Sequence, residues 1–516
     1  MDALTSTQFR ESFGVSNYWS VFTEIKNNEN TSPKVASKTV RVVFIALLLD
    51  ILAFTIILPL FPRLLQEYRV REQGDENTLL SLFLKQIQIF KEIIGGGTNP
   101  KWDLVLLGGA LGSLYSFLQF AASPFIGAFS DRFGRRKTLL VTMIGNIIST
   151  FLWLFARSFG WFVLARIVGG LSEGNVQLSI AIVSDVTTQK TRSRGLALVG
   201  IAFAISFTLG PALGAYFASK DLAKLFPQFV EWGLNPYSMP AFVALILLSV
   251  ETLYIYLALP ETAKISKKNS SQQEESFNTK EDQPEYNINT ISVSERKSNL
   301  RILNWIHFLY LFFFAGMEFT LTFLTFDLFD FTNMQNGKLL GFIGILSAII
   351  QGGYVRRKAH NIGEKRLVIQ GVLSCSIALA IISYLTKLSN GKTLLYIDGI
   401  TWLYIGAAFL ALTSATVVNC LTSIASMQCD DELQQIDEVQ GEEDTQNINT
   451  LIPKGEALGK FRSSGQLGRA FGPIAACGLY WISGSGICYA SGSLAMLIIF
   501  IIVRIKVPFI KKSKNE

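Results

Sequence analysis

Charged side chains are scarce in this chain, and their scarcity excludes most soluble folds. Asp, Glu, Lys and Arg make up 16% of the 516 residues, 50% of the residues are hydrophobic, and the mean hydropathy is +0.36. An average soluble domain carries about 25% charged residues. The formal net charge of +7 does not indicate nucleic-acid binding, because the basic residues lie at the ends of apolar runs. The composition therefore predicts an integral membrane protein with no nucleic-acid partner.

Cysteine and histidine are also rare, which leaves little material for a metal site. The five cysteines are odd in number and lie mostly inside or beside apolar runs without metal-ligand spacing, so we interpret them as small core residues. The two histidines, His307 and His360, lie away from the middle of the apolar runs. The sequence contains no G-x-x-x-x-G-K-[ST] loop for ATP. We therefore expect no metal and no cofactor, and any proton transfer would have to use carboxylates.

Long apolar runs, in contrast, are abundant and fall into two groups. A membrane-spanning helix needs about 20 apolar residues. Runs of this kind lie near 40–62, 104–127, 138–157, 159–184, 194–218, 239–259, 302–326, 338–354, 366–386, 396–424, 457–483 and 485–505. The predicted fold is an all-α membrane protein with twelve transmembrane helices, arranged as two pseudo-symmetric six-helix bundles over residues 40–260 and 301–506.

The segments around the runs have compositions of their own. The excess of Lys and Arg in alternate loops predicts that both terminal tails, 1–39 and 507–516, are cytoplasmic. Residues 261–300 are rich in Ser, Asn and Glu, which predicts a disordered cytoplasmic linker. The acidic insertion at 427–455 is expected on the same side. Residues 63–103 form a long outer loop with apolar side chains at helical spacing, which indicates a short interfacial helix or a structural lid.

One short stretch, GAFSDRFGRRKTLL, concentrates charge between the second and third runs. Its candidate functional residues are Gly127, Asp131, Arg132, Gly134, Arg135 and Arg136. The positive-inside rule explains the basic residues but not the aspartate. Asp131 could pair with Arg135 or Arg136, or could lie at the N-terminus of a helix from the other half, where a carboxylate gains about 0.3 to 2 kcal/mol. Alternatively, the stretch only sets the topology.

This charged pattern resembles the cytoplasmic loop between spans two and three of the major facilitator superfamily. Further segments extend the resemblance along the chain: RIVGGLSEG, FTLGPALGA, LPET, QGGYVRR and SSGQLGRAFGP. Together they are most similar to the eukaryotic tetracycline-transporter-like branch, the family known as major facilitator domain-containing protein ten. The resemblance implies a transporter rather than an enzyme. It also implies that Asp131 contacts the start of span eleven and holds the cytoplasmic side shut.

The two halves repeat parts of each other, as expected for a transporter with a midplane site. The repeated residues expected to kink helices and to allow close packing are Gly210, Pro211, Gly214, Gly472 and Pro473. Antiporters of the superfamily carry a longer glycine pattern in span five, where this chain has Ser206 and Ala197. The stretch after span eight repeats the charged motif with Arg357 in the place of Asp131. The charge contact is therefore expected in the first half alone.

Charged residues inside the spans are the remaining candidates, because each costs about 2.5 to 3.5 kcal/mol at a helix centre. They are Asp50, Arg166, Glu173, Glu251, Glu318 and Arg469. We assign all of them except Glu251 to a proton or substrate pathway. Asp50 lies in span one and could carry a proton, and Arg166 and Glu173 are two turns apart on span four. Each could instead belong to an ion pair that only holds helices together.

These features predict a monomeric secondary transporter of organic anions or drug-like amphiphiles in the plasma membrane or a vesicle membrane. Proton-coupled antiport by alternating access is the expected mechanism. A cavity-facing Arg469 would suit an anion, and Glu318 would balance its charge. Facilitated uniport would need no ionisable midplane group. A non-transporting scaffold that binds partners through its acidic insertion is a further alternative, as is a membrane enzyme, although no activated nucleophile stands out.

Overall fold

The computed structural model describes most of the chain apart from its tails and some connections. The described residues are 33–57, 61–95, 101–220, 222–225, 227–229, 231, 234, 238–263, 292–386, 398–429 and 452–507. Regular secondary structure within these ranges is entirely helical. The predicted disordered linker lies outside the described residues over 264–291, as do 430–451 of the acidic insertion.

The helices follow the order of the predicted spans. In the first half they are α1 Pro33–Ile57, α2 Phe61–Arg71, α3 Leu79–Ile94, α4 Lys101–Phe133, α5 Arg135–Leu154, α6 Phe159–Ser172, α7 Asn175–Val186, α8 Gln189–Ala218, α9 Leu222–Leu225 and α10 Ser238–Ala258. In the second half they are α11 Val293–Phe329, α12 Asn333–Ile350, α13 Arg356–Ile362, α14 Glu364–Leu385, α15 Gly399–Met427, α16 Lys454–Ser483 and α17 Ser485–Lys506. A π-helical turn, Gln351–Val355, joins α12 to α13.

Within the described ranges, ten helical segments are long and apolar enough to cross a membrane. Each of them corresponds to a predicted span, and the all-α fold class is confirmed. The other two predicted spans are also helical. Span four is divided into α6 and α7, whereas span eleven is the single helix α16, which contains several Gly, Ser and basic residues. The polar content of α16 explains why hydropathy alone does not detect it.

Several helix ends differ from the predicted run ends. Helix α1 begins at Pro33 rather than 40, and α11 begins at Val293, inside the segment expected to be a linker. Helix α4 continues to Phe133, so most of the charged stretch is helical and only Gly134 separates α4 from α5. The apolar runs are shorter than the helices because a run ends at the first polar residues, whereas a helix continues as long as its backbone hydrogen bonds continue.

The predicted helix in the outer segment is present as α3. Its N-cap is Thr78, whose hydroxyl accepts a 3.2 Å hydrogen bond from Ser81 N–H, and its C-cap is Gly95 at φ 66°. Its buried face consists of Leu80, Ile87 and Ile94. Helix α3 packs on α4 and α6 and also reaches α16 of the second half. Its position relative to a membrane surface stays a prediction.

The two halves pack against each other along equivalent pairs of helices. Within the halves, α1 packs on α8 and α11 packs on α16. Between the halves, α4 packs on α16, and α8 packs on α12 and α15. Helices α10 and α17 pack behind these pairs, α10 on α1 and α5, and α17 on α14. Of the charged residues inside the spans, Arg469 lies on a helix at this boundary, whereas Asp50 and Glu318 lie on α1 and α11, which pack on boundary helices.

Candidate functional site

Asp131 lies near the end of α4 and binds the first turn of α16 in the other half. The Gly455 N–H donates to Asp131 Oδ1 at 2.8 Å, and the Glu456 N–H donates to Oδ2 at 2.7 Å. The Arg135 Nη1 also donates to Oδ1, at 2.6 Å. The first N–H groups of a helix lack intrahelical partners, and the helix dipole favours an anion there. The structure thus contains the contact between halves that the sequence suggested.

Arg135 is the basic residue that holds Asp131 in place. The residue is only 4% exposed. Its Nε donates to Asp185 Oδ2 at 2.9 Å, which ties the charged stretch to α7. The carboxylate of Glu261 accepts the backbone N–H groups of Arg135 at 2.8 Å and Arg136 at 3.2 Å, and so caps α5. The hydrogen bonds of Arg135 and Glu261 therefore form a corner between α4 and α5, the Asp131 corner, which holds Asp131 against α16.

Two glycines of the charged stretch are required by close approach. A β-carbon on Gly127 would overlap with the carbonyl oxygen of Gly455, so the ends of α4 and α16 can touch only without side chains there. Gly134 has φ 101°, a left-handed conformation, and a β-carbon there would overlap with the carboxylate of Glu261. Gly127 therefore allows α4 to contact α16, and Gly134 allows Glu261 to contact the start of α5.

Arg132 and Arg136 do not join this contact. The Arg136 Nη2 donates to the Tyr256 carbonyl, and its guanidinium carbon lies 5.4 Å from the centre of the Tyr256 ring. Arg132 is exposed and packs on Phe133, with its guanidinium carbon 5.4 Å from the ring centre. Among the described contacts neither arginine reaches α16, so Arg136 is not the partner of Asp131.

The repeat in the second half aligns differently from the sequence prediction. Gly363 has φ 87° and immediately precedes α14, as Gly134 immediately precedes α5. Aligning these two glycines puts His360, not Arg357, in the place of Asp131, and puts Glu364 in the place of Arg135. Glu364 accepts a hydrogen bond from the Ser193 hydroxyl of α8. The second half thus makes its own polar contact with the first half at this end, which we call the Asp131 end.

Asp50 is buried beside the break in span four. Asp50 is only 7% exposed, and Asn175 Nδ2 donates a hydrogen bond to Asp50 Oδ1 at 2.7 Å. Asn175 is the first residue of α7, and its Oδ1 accepts from Thr142 Oγ1 at 3.2 Å. The carboxylate therefore lies next to a helix N-terminus, a position that favours negative charge.

Span four is interrupted at Glu173 and Gly174. Helix α6 ends at Ser172, and Glu173 has the non-helical angles φ −72° and ψ 89°. A β-carbon on Gly174 would lie 2.9 Å from side-chain atoms of Ile126 and Thr142, so a larger residue would not fit. Broken helices near the midplane of transporters are typical of ion and substrate sites. The continuous helical face expected for Arg166 and Glu173 is therefore absent.

Arg166 and Glu173 nevertheless meet, through Tyr115 of α4. The Tyr115 hydroxyl donates to Glu173 Oε2 at 3.3 Å. The guanidinium carbon of Arg166 lies 4.7 Å from the centre of the Tyr115 ring and 5.6 Å from that of Trp153. Such cation–π contacts replace water around a partly buried guanidinium. Tyr115 thus links the two predicted pathway residues.

Arg462 of α16 is a charged residue of this site that the sequence analysis missed. It lies within electrostatic reach of Glu173, Asp50 and Tyr115, all of which belong to the first half. Among the described residues, its Nε has no hydrogen-bond partner. The predicted span eleven began at 457, which placed Arg462 near the membrane surface, whereas α16 begins at Lys454. Pro453, the N-cap of this helix, was the signal that could have corrected the register.

The second half contributes Glu318 and Arg469. Arg469 lies two turns after Arg462 on α16 and is within electrostatic reach of Glu318 of α11. Glu318 also lines a mostly apolar cavity with Met317, Leu410 and Tyr489. Among the described residues no group of three or more His, Cys, Asp or Glu side chains could hold a metal ion.

The glycine and proline residues of spans five and eleven lie at the tightest helix contacts. A β-carbon on Gly210 would overlap with the Thr55 hydroxyl, and one on Gly214 would overlap with the Ile56 carbonyl, both on α1. In the second half, a β-carbon on Gly472 would overlap with the Phe312 carbonyl of α11. Pro211 and Pro473 each lie inside a continuous helix directly after one of these glycines. The motif therefore serves close packing of α8 on α1 and of α16 on α11.

Known proteins match nearly the whole chain. The family model for the Major Facilitator Superfamily matches residues 43–434. Major facilitator superfamily domain-containing protein 10 of Mus musculus is 33% identical over 497 residues, which cover 94% of this chain and 96% of that protein. The class B tetracycline resistance protein of Escherichia coli is 23% identical over 360 residues, covering 68% of this chain and 74% of that protein.

Solved structures agree with these matches. The crystal structure of the human organic anion transporter MFSD10 (TETRAN) has a TM-score of 0.71 and 33% identity, and covers 91% of this chain and 99% of that one. The proton:xylose symporter XylE has a TM-score of 0.64, covers 93% of this chain and 97% of that one, and supports the fold alone at 14% identity. The chain therefore belongs to the major facilitator superfamily and is a multi-pass membrane transporter, not an enzyme.

Proposed function

We propose that this transporter moves organic anions and amphipathic drug-like molecules by proton-coupled alternating access. The observation that carries this proposal is Arg462 of the second half, which lies within electrostatic reach of Glu173 and Asp50 of the first half. Opposite charges on the two halves form a natural site for a substrate that must be released when the halves separate. The human relative named as an organic anion transporter supports this substrate class.

The surroundings of Arg462 fit an anion with an apolar body. Arg469 adds a second positive charge on the same helix. Glu318, on which Arg469 acts, lines a mostly apolar cavity together with the aromatic residues Phe314 and Tyr489. Aromatic side chains with a few charged groups are typical of small-molecule sites. We therefore propose that the arginines bind the anionic group and the aromatic rings contact the apolar body.

The proposed proton coupling rests on Asp50 and Glu173, the two carboxylates within electrostatic reach of Arg462. A substrate with a cationic group competes with protons for Asp50 and Glu173, which gives the antiport expected from the sequence. A purely anionic substrate draws Arg462 away from the carboxylates, so anion and proton favour each other and move together. The sign of the coupling thus depends on the charge of the substrate.

The test is flux in proteoliposomes that contain the purified chain. Fluorescein serves as a purely anionic probe, and tetracycline as an amphipathic probe. We expect fluorescein to accumulate on the alkaline side and tetracycline on the acidic side. Transport of both probes without any effect of pH would indicate a uniporter. No transport of either probe would favour a non-transporting scaffold.

A further inference from the structure

Glu251 of α10 is a buried carboxyl that the proposed substrate site does not use. Only 1% of its surface is exposed. Among the described residues, its Oε2 has no hydrogen-bond partner. A buried carboxylate without partners costs several kcal/mol, so such a group is rarely retained unless it remains neutral or has a function.

The location of Glu251 separates it from the boundary between halves. Helix α10 packs on α1 and α5, behind the helices that face the second half. The charged groups that act on Glu251 are Asp50 of α1 and Glu173 at the helix break, and both are acidic. Two acidic neighbours disfavour ionisation of a third carboxyl at the same place.

The remaining titratable groups of the packed helices lie near the helix ends. Towards the Asp131 end they are Lys38 and Arg41 of α1, Arg135, Arg136 and Lys137 of α5, and Arg192 and Arg194 of α8. Towards the opposite end they are Tyr216 of α8 and Lys224 of α9. Helix α10 itself adds Tyr254 and Tyr256, both after Glu251. The middle of α5 contains the buried, neutral Asn146 rather than a cation.

We propose that Glu251 is a proton-holding site behind Asp50, so that protons and substrate approach Asp50 from opposite sides. This inference rests on the proposed proton coupling. The proton leaves the Glu251 carboxyl as it binds to the Asp50 carboxylate, and the reverse step returns it, so that the pair shares one proton. Arg462 and the substrate act on Asp50 from the boundary between halves, whereas Glu251 acts from inside the first bundle.

The first experiment measures proton binding directly and needs no substrate. Infrared difference spectra between acidic and alkaline buffer record the C=O stretch of protonated carboxyls in the purified full-length protein. We expect Glu251→Gln to lose a carboxyl band that the parent protein shows, and Glu251→Asp to retain a shifted band. The control is Thr252→Val on the same helix, because among the described residues Thr252 Oγ1 donates only to the Leu248 carbonyl of its own helix, at 2.7 Å.

The second experiment measures fluorescein flux in proteoliposomes with the same variants. For Glu251→Gln we expect unchanged downhill exchange and a loss of gradient-driven accumulation of up to about 50-fold, the ratio that 100 mV supports for one proton. Glu251→Asp and Thr252→Val should accumulate fluorescein like the parent protein. If the pH gradient does not change fluorescein accumulation by the parent protein, the proposed proton coupling itself is contradicted. If the parent protein is driven by the proton gradient but Glu251→Gln leaves the infrared spectrum or the accumulation of fluorescein unchanged, the proposed role of Glu251 is wrong. The proposed proton coupling of the transporter would still stand.

Discussion

Replacing Asp131 by Asn should open the Asp131 end of the transporter. The carboxylate accepts two N–H groups from the start of α16 and one from Arg135. An asparagine side chain keeps one oxygen but turns an NH₂ group towards a donor, so at least one of these hydrogen bonds is lost. The negative charge that opposes the helix dipole and the Arg135 guanidinium disappears as well.

The size of the effect follows from the kind of contact that is lost. A carboxylate at a helix N-terminus contributes about 0.3 to 2 kcal/mol, and the upper end applies in partly buried geometry. Asp131 is only partly exposed, with 19% of its side-chain surface accessible. A loss of about 2 kcal/mol changes the ratio of open to closed molecules by about 30-fold. The helices themselves should remain folded, because their own backbone hydrogen bonds are unaffected.

Labelling of an introduced cysteine measures this opening. Ser123 of α4 is 0% exposed in the closed structure, and its carbonyl oxygen would lie 2.6 Å from a β-carbon on Gly459 of α16. Ser123→Cys therefore becomes accessible to a maleimide when α16 moves away. The five native cysteines are buried, and their labelling in the parent protein is subtracted. We expect Asp131→Asn to raise the labelling rate at this site by up to about 30-fold.

The control is Arg132→Gln, since Arg132 lies in the same stretch but packs on Phe133. This variant should label like the parent protein, although it removes a charge of equal size. An Asp131→Asn variant that also labels like the parent would refute the reasoning. In that case the charged stretch would only orient the protein during membrane insertion.

Three further changes test the site and the packing. Asp50→Asn should reduce uphill accumulation of fluorescein in proteoliposomes by up to about 50-fold while downhill exchange continues. Arg462→Gln should raise the KM for fluorescein about tenfold or more, measured from initial rates, because a partly buried charge partner of the anion is lost. Gly472→Ala should lower the melting temperature in detergent, because overpacking costs about 1 to 3 kcal/mol. Gly478→Ala is its control, since a β-carbon there would lie 4.0 Å from the nearest atom.

The positions of the spanning helices were largely predictable from the sequence. In a bilayer every backbone hydrogen bond must be made within the segment, so an apolar run of sufficient length has to be a helix. The run near 338–354, for example, is the helix α12 with its π turn, although two glycines interrupt its end. The break at Glu173 and Gly174 was not predictable, because the surrounding run is as apolar as those of the intact spans.

Some features of the candidate site were also predictable from the sequence, whereas others were not. Sequence spacing identified Asp131 and the charges inside the spans, since such residues are costly in a membrane. It did not distinguish Arg135 from Arg136, because both follow Asp131 within two helical turns. In the structure, Asp185 of α7 fixes Arg135, whereas Tyr256 of α10 binds Arg136.

The sequence by itself determined the helical class, the two halves and the set of charged residues inside or beside the apolar spans. Tertiary structure alone decided which residues meet: Asp131 meets Gly455, and Asp50 meets Asn175. It also placed Arg462 of α16 within electrostatic reach of Glu173. Helix propensity and hydrophobicity depend on residues a few positions apart, so a single sequence records them locally. Contacts between α4 and α16 join residues more than three hundred positions apart, and only the packing of complete helices brings them together.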